Sequence, residues 1–357
     1  MDKPILEDIA HNFTQELTLS EQGKKTSLPF IINQLPNHPL VAEGETFQVI
    51  GLGGSIFRSA LITKKNNQLE VKTPIERSHP IFDTKEDFLS FISENLSPRI
   101  SYLAINIAQA VEPFFRDGRL DGKLVGAAKE HRFEGLLGEN VCEELEKFVK
   151  EDQGRDIKAS IANDTICLML SGLTKYPAEN LAAGIVGTGM NFAIFLDATH
   201  AVNLEASDFD KFPVGPEAQT IDRHSEVPGF HVWEKETAGA YLHEHFNMQI
   251  RDKKIKYPFI KNTQELDSVI RQEIPQVSDI ALDVMHTSAK MVGAMMAGIM
   301  NFYKKDVTFV MQGSLFWKGY EYKETVAKTL EELAPEYKAD FAYVDLADYL
   351  GAAKLIA

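Results

Sequence analysis

Asn163-Asp164-Thr165 sets an amide, a carboxylate and a hydroxyl on three consecutive residues, between the apolar segment 157–162 and the apolar run 166–170. The first segment reads as a buried strand and the second as a helix. The three polar side chains then stand at the carboxyl edge of a sheet, where open α/β folds bind their ligands. A carboxylate fixed there can orient a hydroxyl group and accept its proton. The competing reading is structural: Asp164 or Thr165 caps the helix and does nothing more.

Two glycine loops weigh against the structural reading. Residues 183–195 read as two strands joined by a tight Gly187-Thr188-Gly189 turn. Residues 47–62 have the same shape around Gly53-Gly54-Ser55. Glycine permits positive φ and close approach of a ligand to the backbone. Successive N–H groups in such turns form an anion-binding nest, to which Ser55 and Thr188 add hydroxyl donors. Either loop alone is an ordinary hairpin turn. Two of them flanking a strand-end aspartate describe a phosphate clamp in two halves.

These residues stand in an order that resembles the hexokinase family, along nearly the whole chain. Gly53-Gly54-Ser55 with Phe57-Arg58 matches the family's first phosphate loop, and Gly187-Thr188-Gly189-Met190-Asn191 its second. Pro113 and the stretch from Gly122 to Lys129 follow its sugar segment, and Asn163-Asp164-Thr165 its catalytic motif. Asn203-Leu204-Glu205 and Trp233-Glu234-Lys235 match its two glutamate motifs, and Gly313-Ser314 its adenosine-side turn.

The resemblance implies an α/β chain with the two-domain actin-like ATPase (ribonuclease H-like) fold, a mixed sheet in each domain and a central cleft. It implies a small domain over 48–165, rejoined by the C-terminal helix at 345–357. A large domain over 166–344 packs with the N-terminal segment 1–47. It further implies an ATP:hexose 6-phosphotransferase that uses ATP and Mg²⁺. Asp164 is its catalytic base, and Lys129, Asn163, Asn191, Glu205 and Glu234 hold the sugar. Gly53, Gly54, Ser55, Arg58, Gly187, Thr188, Gly189, Gly313 and Ser314 hold the nucleotide, and no side-chain metal site is expected. A hexose held by both halves favours closure of the cleft.

Several positions depart from that pattern. Gly51 stands in place of an aspartate that helps hold the hydrated metal, and Ile56 in place of an asparagine. Val111 and Ala128 replace hydroxyl residues of the sugar segment, Glu112 an aromatic residue, and Gln312 an acidic one. A site that loses hydroxyl donors discriminates among sugars differently. Two alternatives therefore accompany the hexokinase reading: a non-catalytic sugar-binding or regulatory protein, and a kinase for another sugar such as mannose or an amino sugar.

The elements that must position these residues are legible as alternating strand and helix patterns. Strands are expected at 48–52, 59–63, 69–72, 102–107, 157–162, 184–186, 192–196, 201–204, 307–311 and 340–344. Helices are expected at 85–95, 143–151, 232–246, 280–302 and 349–357. The run 291–300 is too short to span a membrane, and its small residues and methionines suit a core helix. His243 and His245, at i and i+2 on a helix, share no face and read as exposed.

Composition narrows the field of partners. The 357 residues are 44% hydrophobic, enough for two substantial cores. A net charge of −15, from 37 basic against 52 acidic residues, argues against a nucleic-acid partner. Two cysteines, Cys142 and Cys167, lack metal-ligand spacing and read as reduced thiols of a cytoplasmic protein. The opening residues carry no signal-peptide pattern.

Overall fold

The computed structural model describes residues 1–66, 68–126 and 131–357. Helix α1 (Lys3–Glu21) precedes strands β1 (Ile31–Gln34), β2 (Thr46–Leu52), β3 (Ile56–Lys65) and β4 (Gln68–Ser78). There follow α2 (Lys85–Glu94), β5 (Tyr102–Ile107), the hairpin of β6 (Val111–Arg116) and β7 (Arg119–Leu124), α3 (Val141–Gln153), β8 (Lys158–Asn163) and α4 (Asp164–Gly172). Next come β9 (Leu181–Val186), β10 (Met190–Asp197), β11 (His200–Asn203), α5 (Pro216–His224), α6 (Val232–Thr237), α7 (Leu242–Asp252) and α8 (Thr263–Ile270). The chain ends with α9 (Val277–Tyr303), β12 (Val307–Gln312), α10 (Ser314–Lys318), α11 (Tyr322–Leu333), β13 (Ala339–Ala342) and α12 (Ala347–Ala353).

Both large sheets are mixed. A five-stranded sheet has the order β4-β3-β2-β5-β8. Its β2, β3 and β4 run antiparallel, while β5 and β8 lie parallel to β2. A six-stranded sheet has the order β1-β11-β10-β9-β12-β13. It is antiparallel across β1, β11 and β10, and parallel between β12 and β13. By Cα proximity the chain divides into two compact units. The first comprises Met1–Phe30, Gly184–Phe192 and Leu204–Tyr343, and the second Ile31–Ala183, Ala193–Asn203 and Val344–Ala357.

In the first unit, α9 is the central helix, and all ten residues from Met291 to Met300 are buried. Its glycines admit close neighbours. A Cβ on Gly298 would lie 3.0 Å from the Ala10 carbonyl and Phe13 of α1, and one on Gly293 would lie 2.8 Å from Thr329 of α11. Helix α1 meets it with Leu6, Ile9, Ala10, Phe13 and Leu17, the 3.6-residue stripe of an amphipathic helix. Burial of Leu6, Ile9, Phe13 and Leu17 stabilises the unit by about 1.5–3 kcal/mol each.

In the second unit, β8 is buried from Ala159 through Asn163, as a parallel strand covered on both faces must be. Helix α2 begins with a capping box, the Thr84 and Asp87 side chains each serving the other's backbone N–H. The β6–β7 hairpin is tied down by charge. Arg116 binds Asp121 and Glu146, Arg119 also binds Glu146, and Glu146 accepts the Ala159 N–H of β8 at 2.8 Å. Asp121 is fully buried and takes the N–H groups of Gly122 and Cys142. The hairpin leading toward residues 127–130 is thereby fixed to α3 and β8.

Two expectations need correction. The stretch 232–246 is two helices rather than one, because the chain leaves helical geometry at 238–241 to bond with residues 187 and 188. His245 is buried rather than exposed, its Nε2 lying 2.8 Å from the Lys235 carbonyl. Cys142 and Cys167 are both free and buried, and burial raises each thiol well above its ordinary range. No helix among the described residues is long and apolar enough to cross a membrane.

Helix α12 crosses α4 at the shortest glycine contact in the second unit: a Cβ on Gly351 would stand 1.8 Å from the Cys167 carbonyl oxygen. Gly351→Ala must push the helices apart and is expected to cost about 1–3 kcal/mol or more. Urea unfolding monitored by circular dichroism checks this. A midpoint unchanged from wild type would refute the close crossing.

Candidate functional site

In the second unit, β8 ends at Asn163 and α4 starts at Asp164, so the Asn-Asp-Thr triplet marks the turn from strand to helix. Asn163 is the cap: its Oδ1 accepts the Thr165 N–H at 2.9 Å. Capping therefore does not account for Asp164, which is the first residue of the helix. The Asp164 carboxylate accepts from Thr165 Oγ1 at 3.3 Å, and the positive end of the helix dipole favours its negative charge. Its charge and that of Asp348 add to the burial that keeps the Cys167 thiol protonated.

The first glycine loop lies in the same unit. The Gly53 N–H donates to the Ile56 carbonyl at 2.9 Å, closing a tight turn between β2 and β3. Gly54 is partly exposed and Ser55 exposed. Arg58 leans against the loop, with Nη1 3.7 Å from the position of a Gly53 Cβ. Its Nε donates to Glu76 at 2.9 Å and faces Asp348 of α12 at 3.4 Å. Gly51 pairs with Arg58 across β2 and β3. Val111 is buried against Gly122, whose Cβ would meet it at 3.2 Å, while Glu112 is exposed and Gln109 buried. Lys129 and Ala128 lie outside the described residues.

In the first unit, the remaining expected residues gather around the second glycine loop. Gly187 N–H donates to the Gly189 carbonyl at 3.0 Å. Outward, the Gly187 carbonyl accepts the Gly239 N–H at 2.8 Å and the Thr188 carbonyl accepts that of Ala240 at 3.0 Å. A Cβ on Gly239 would lie 2.6 Å from the Gly187 oxygen, so only glycine fits. On the other side, Gly187 approaches the Gly313 Cα and the Ser314 nitrogen at 3.4 and 3.8 Å from its own Cβ position. Gly313 has φ +112°, and a side chain there would strike the Val186 carbonyl. The two turns meet backbone to backbone.

Glu234 ties these turns to the polar residues beside them. Its Oε2 accepts the Met190 N–H at 3.1 Å and lies 3.0 Å from a Gly189 Cβ position. Asn191 Oδ1 accepts the N–H groups of Phe192 and Ala206, at 2.8 and 3.1 Å, which sets it next to Glu205. Glu205 itself has left-handed geometry, φ +47°, at the turn after β11. Neighbouring Lys235 is fully buried, and its ammonium group is satisfied by Asp222 at 2.5 Å and by the Val227 and Phe230 carbonyls. This buried cation pins the 222–230 loop over α6.

The sequence reading missed His231. It is the left-handed N-cap of α6, three residues before Glu234, and follows the Val227–Phe230 turn through Pro228-Gly229. Its ring Nδ1 faces Asp208 at 3.1 Å and Ser207 Oγ at 3.0 Å. The Asp208 carboxylate raises the imidazole pKa against the opposing effect of burial, and the charges of Glu234 and Glu205 add to the rise. Burial of Asp208 opposes its ionisation, but hydrogen bonds from His231 outweigh that and lower its pKa. Among the described residues no group of three His, Cys, Asp or Glu side chains is placed to hold a metal ion.

No protein-family model matches the chain. A hexokinase of Emericella nidulans is 28% identical over 287 residues, covering 71% of this chain and 58% of the fungal protein. Rice hexokinase-7 is 23% identical over an alignment of 423 positions that covers 95% of this chain and 90% of the plant protein. Among solved structures, the hexokinase of Schistosoma mansoni complexed with glucose superposes with TM-score 0.81, covering 100% of this chain and 95% of its own, at 18% identity. The chain is similar in sequence to hexokinases and has their fold. A glucokinase of the ROK family from Streptomyces griseus, solved with glucose and AMPPNP, is more distant, with TM-score 0.55 at 15% identity over 87% of this chain and 99% of its own.

The His231–Asp208 pair makes a testable prediction. Because the folded pKa of His231 is raised, its stabilising share is full below the ordinary histidine range. That share is lost as pH rises through the raised folded value. Asp208→Asn is expected to bring the His231 titration back toward the ordinary 6.5, as followed by NMR of the ring nitrogens. A midpoint that stays raised would show that Asp208 is not the cause.

Proposed function

We propose that the protein is an ATP-dependent hexokinase that transfers the γ-phosphoryl group of Mg-ATP to the 6-hydroxyl of a hexose such as glucose. The observation that carries this reading is the placement of Asp164: first residue of α4, at the carboxyl edge of β8, with the capping role taken by Asn163. Phosphoryl transfer demands positioning and charge stabilisation more than covalent chemistry. Asp164 would orient the attacking hydroxyl and take its proton late, as charge leaves that oxygen, because a carboxylate is a weak base toward an alcohol. Asn163 spends Oδ1 on its own helix, and its Nδ2 is the group offered to a sugar oxygen.

Asn191, Glu205 and Glu234 supply the amide and carboxylates that satisfy hexose hydroxyls, and Lys129 is assigned with them. Gly187, Thr188 and Gly189, with Gly313 and Ser314, would receive the nucleotide. Gly53, Gly54 and Ser55, braced by Arg58, would serve its phosphates. Mg²⁺, carried on the phosphate oxygens, would neutralise their charge when bound. In functional terms the division is 48–165 with 345–357, and 166–344 with 1–47. Glucose in the Schistosoma structure and AMPPNP in the Streptomyces one support this assignment of ligands.

Buried Val111, in place of a hydroxyl donor, favours a second reading in which the preferred acceptor is another hexose, such as mannose or an amino sugar. ADP release with Mg-ATP, measured against glucose, mannose, fructose, glucosamine and N-acetylglucosamine, separates the two. Asp164→Ala is expected to lower turnover about 10²- to 10⁴-fold while sugar affinity by calorimetry is retained. Near-normal turnover in the variant would remove Asp164 from the mechanism. Silence of the wild type with every sugar, with sugar still bound, would turn the assignment to a non-catalytic binder.

Gly239→Ala tests the second loop independently. It is expected to raise the KM for ATP about tenfold or more, since the new methyl group displaces the Gly187 carbonyl. An unchanged KM for ATP would disconnect this loop from the nucleotide.

A further inference from the structure

His79, the residue that follows β4, holds two carbonyl groups of the loop Gly53-Gly54-Ser55. Its ring Nε2 lies 2.9 Å from the Gly53 oxygen, and its backbone N–H donates to the Ser55 oxygen at 3.2 Å. A carbonyl oxygen can only accept, so Nε2 carries a proton in this contact. Nδ1 lies 2.9 Å from the Pro80 carbonyl.

Aromatic packing fixes the plane of this ring. It stacks on Phe82, with centroids 5.2 Å apart and planes 9° from parallel, and on His131 at 5.3 Å and 26°. His131 is locked in turn by its Nδ1, which accepts the Phe82 N–H at 2.9 Å. Phe91 of α2 closes the group at 6.4 Å. A histidine used only as a turn residue needs none of this. The peptide bond is planar, so drawing the Gly53 carbonyl toward His79 turns the Gly54 N–H to the opposite side. The loop then presents amide donors on the face away from His79, as an anion-binding nest requires.

We propose that His79 is a positioning residue for the first phosphate loop, holding the Gly53 and Ser55 carbonyls so that the loop's amides face the nucleotide's phosphates. The inference rests on the assignment of that loop under the kinase reading. It separates the two ring nitrogens. His79→Gln carries an amide donor at about the reach of Nε2, and His79→Asn carries one only at the reach of Nδ1, short of Gly53.

Kinetics of the wild type and both variants, with thermal unfolding midpoints for all three, provide the test. Wild-type turnover with Mg-ATP and its best hexose reports on the kinase reading by itself. His79→Asn is expected to raise the KM for ATP about three- to tenfold, the scale of one lost hydrogen bond, with the sugar KM unchanged. His79→Gln is expected to stay within about twofold of wild type. A wild-type KM for ATP in His79→Asn overturns the proposal. So does an equal loss in both variants that affects ATP and sugar alike, which marks a ring needed only for packing. If His79→Asn does not fold, His79→Gln decides alone: near-wild-type KM for ATP supports the clasp and a tenfold rise overturns it. If the wild type shows no turnover, the kinase reading fails. Calorimetry with Mg-AMPPNP then judges the clasp: weaker binding in His79→Asn than in His79→Gln supports it, and equal or absent binding overturns it.

Discussion

The Gly187 carbonyl accepts the Gly239 N–H at 2.8 Å, and the arrangement of the first unit's polar residues depends on that contact. To make it, the chain gives up helical geometry after Thr237 and resumes it only at Leu242. The gap lets two backbone segments touch where any side chain on residue 239 would intrude on the Gly187 oxygen. Gly313 repeats the device against Val186 from the other side. Three glycines from distant parts of the chain therefore form one seam of backbone. Helix α6 hangs from that seam, which is why Glu234 reaches the Met190 N–H and why His231 falls next to Asp208 and Glu205.

Much of this was legible in the sequence, for physical reasons that differ by element. Strand β8 and the start of α4 were readable because an apolar run ending in Asn-Asp-Thr is a local signal, set by the residues themselves. The two glycine turns were readable for the same reason. The break at 238–241 was not: Thr237, Ala238 and Ala240 are compatible with helix, and the partners that interrupt them, Gly187 and Thr188, lie 52 residues earlier. His245 was misread because its burial follows from the path of Lys235, whose own burial depends on Asp222 and two carbonyls. His79 and His131 carried no motif at all. Their roles exist only once β4 and the 131–133 segment come together around Phe82.

The charges around the first loop bear on how an acidic chain could hold a triphosphate. Arg58 is a cation in contact with Gly53, yet its guanidinium is engaged by Glu76 and Asp348. One positive and two negative groups leave that corner net negative when all are ionised. Arg58 therefore serves the loop as a brace between β3, β4 and α12 more than as a free positive charge. Gly51 adds no charge of its own. On the kinase reading, attraction for the phosphates must then come from oriented peptide dipoles and from Mg²⁺ carried in with the nucleotide. Dipoles act over a few ångströms and only when aimed, whereas a net charge acts from a distance and forgives misplacement. A loop that relies on amides must be held rigidly. The two carbonyl contacts from His79 on one loop, and the glycine seam behind the other, supply the same kind of constraint by unrelated means.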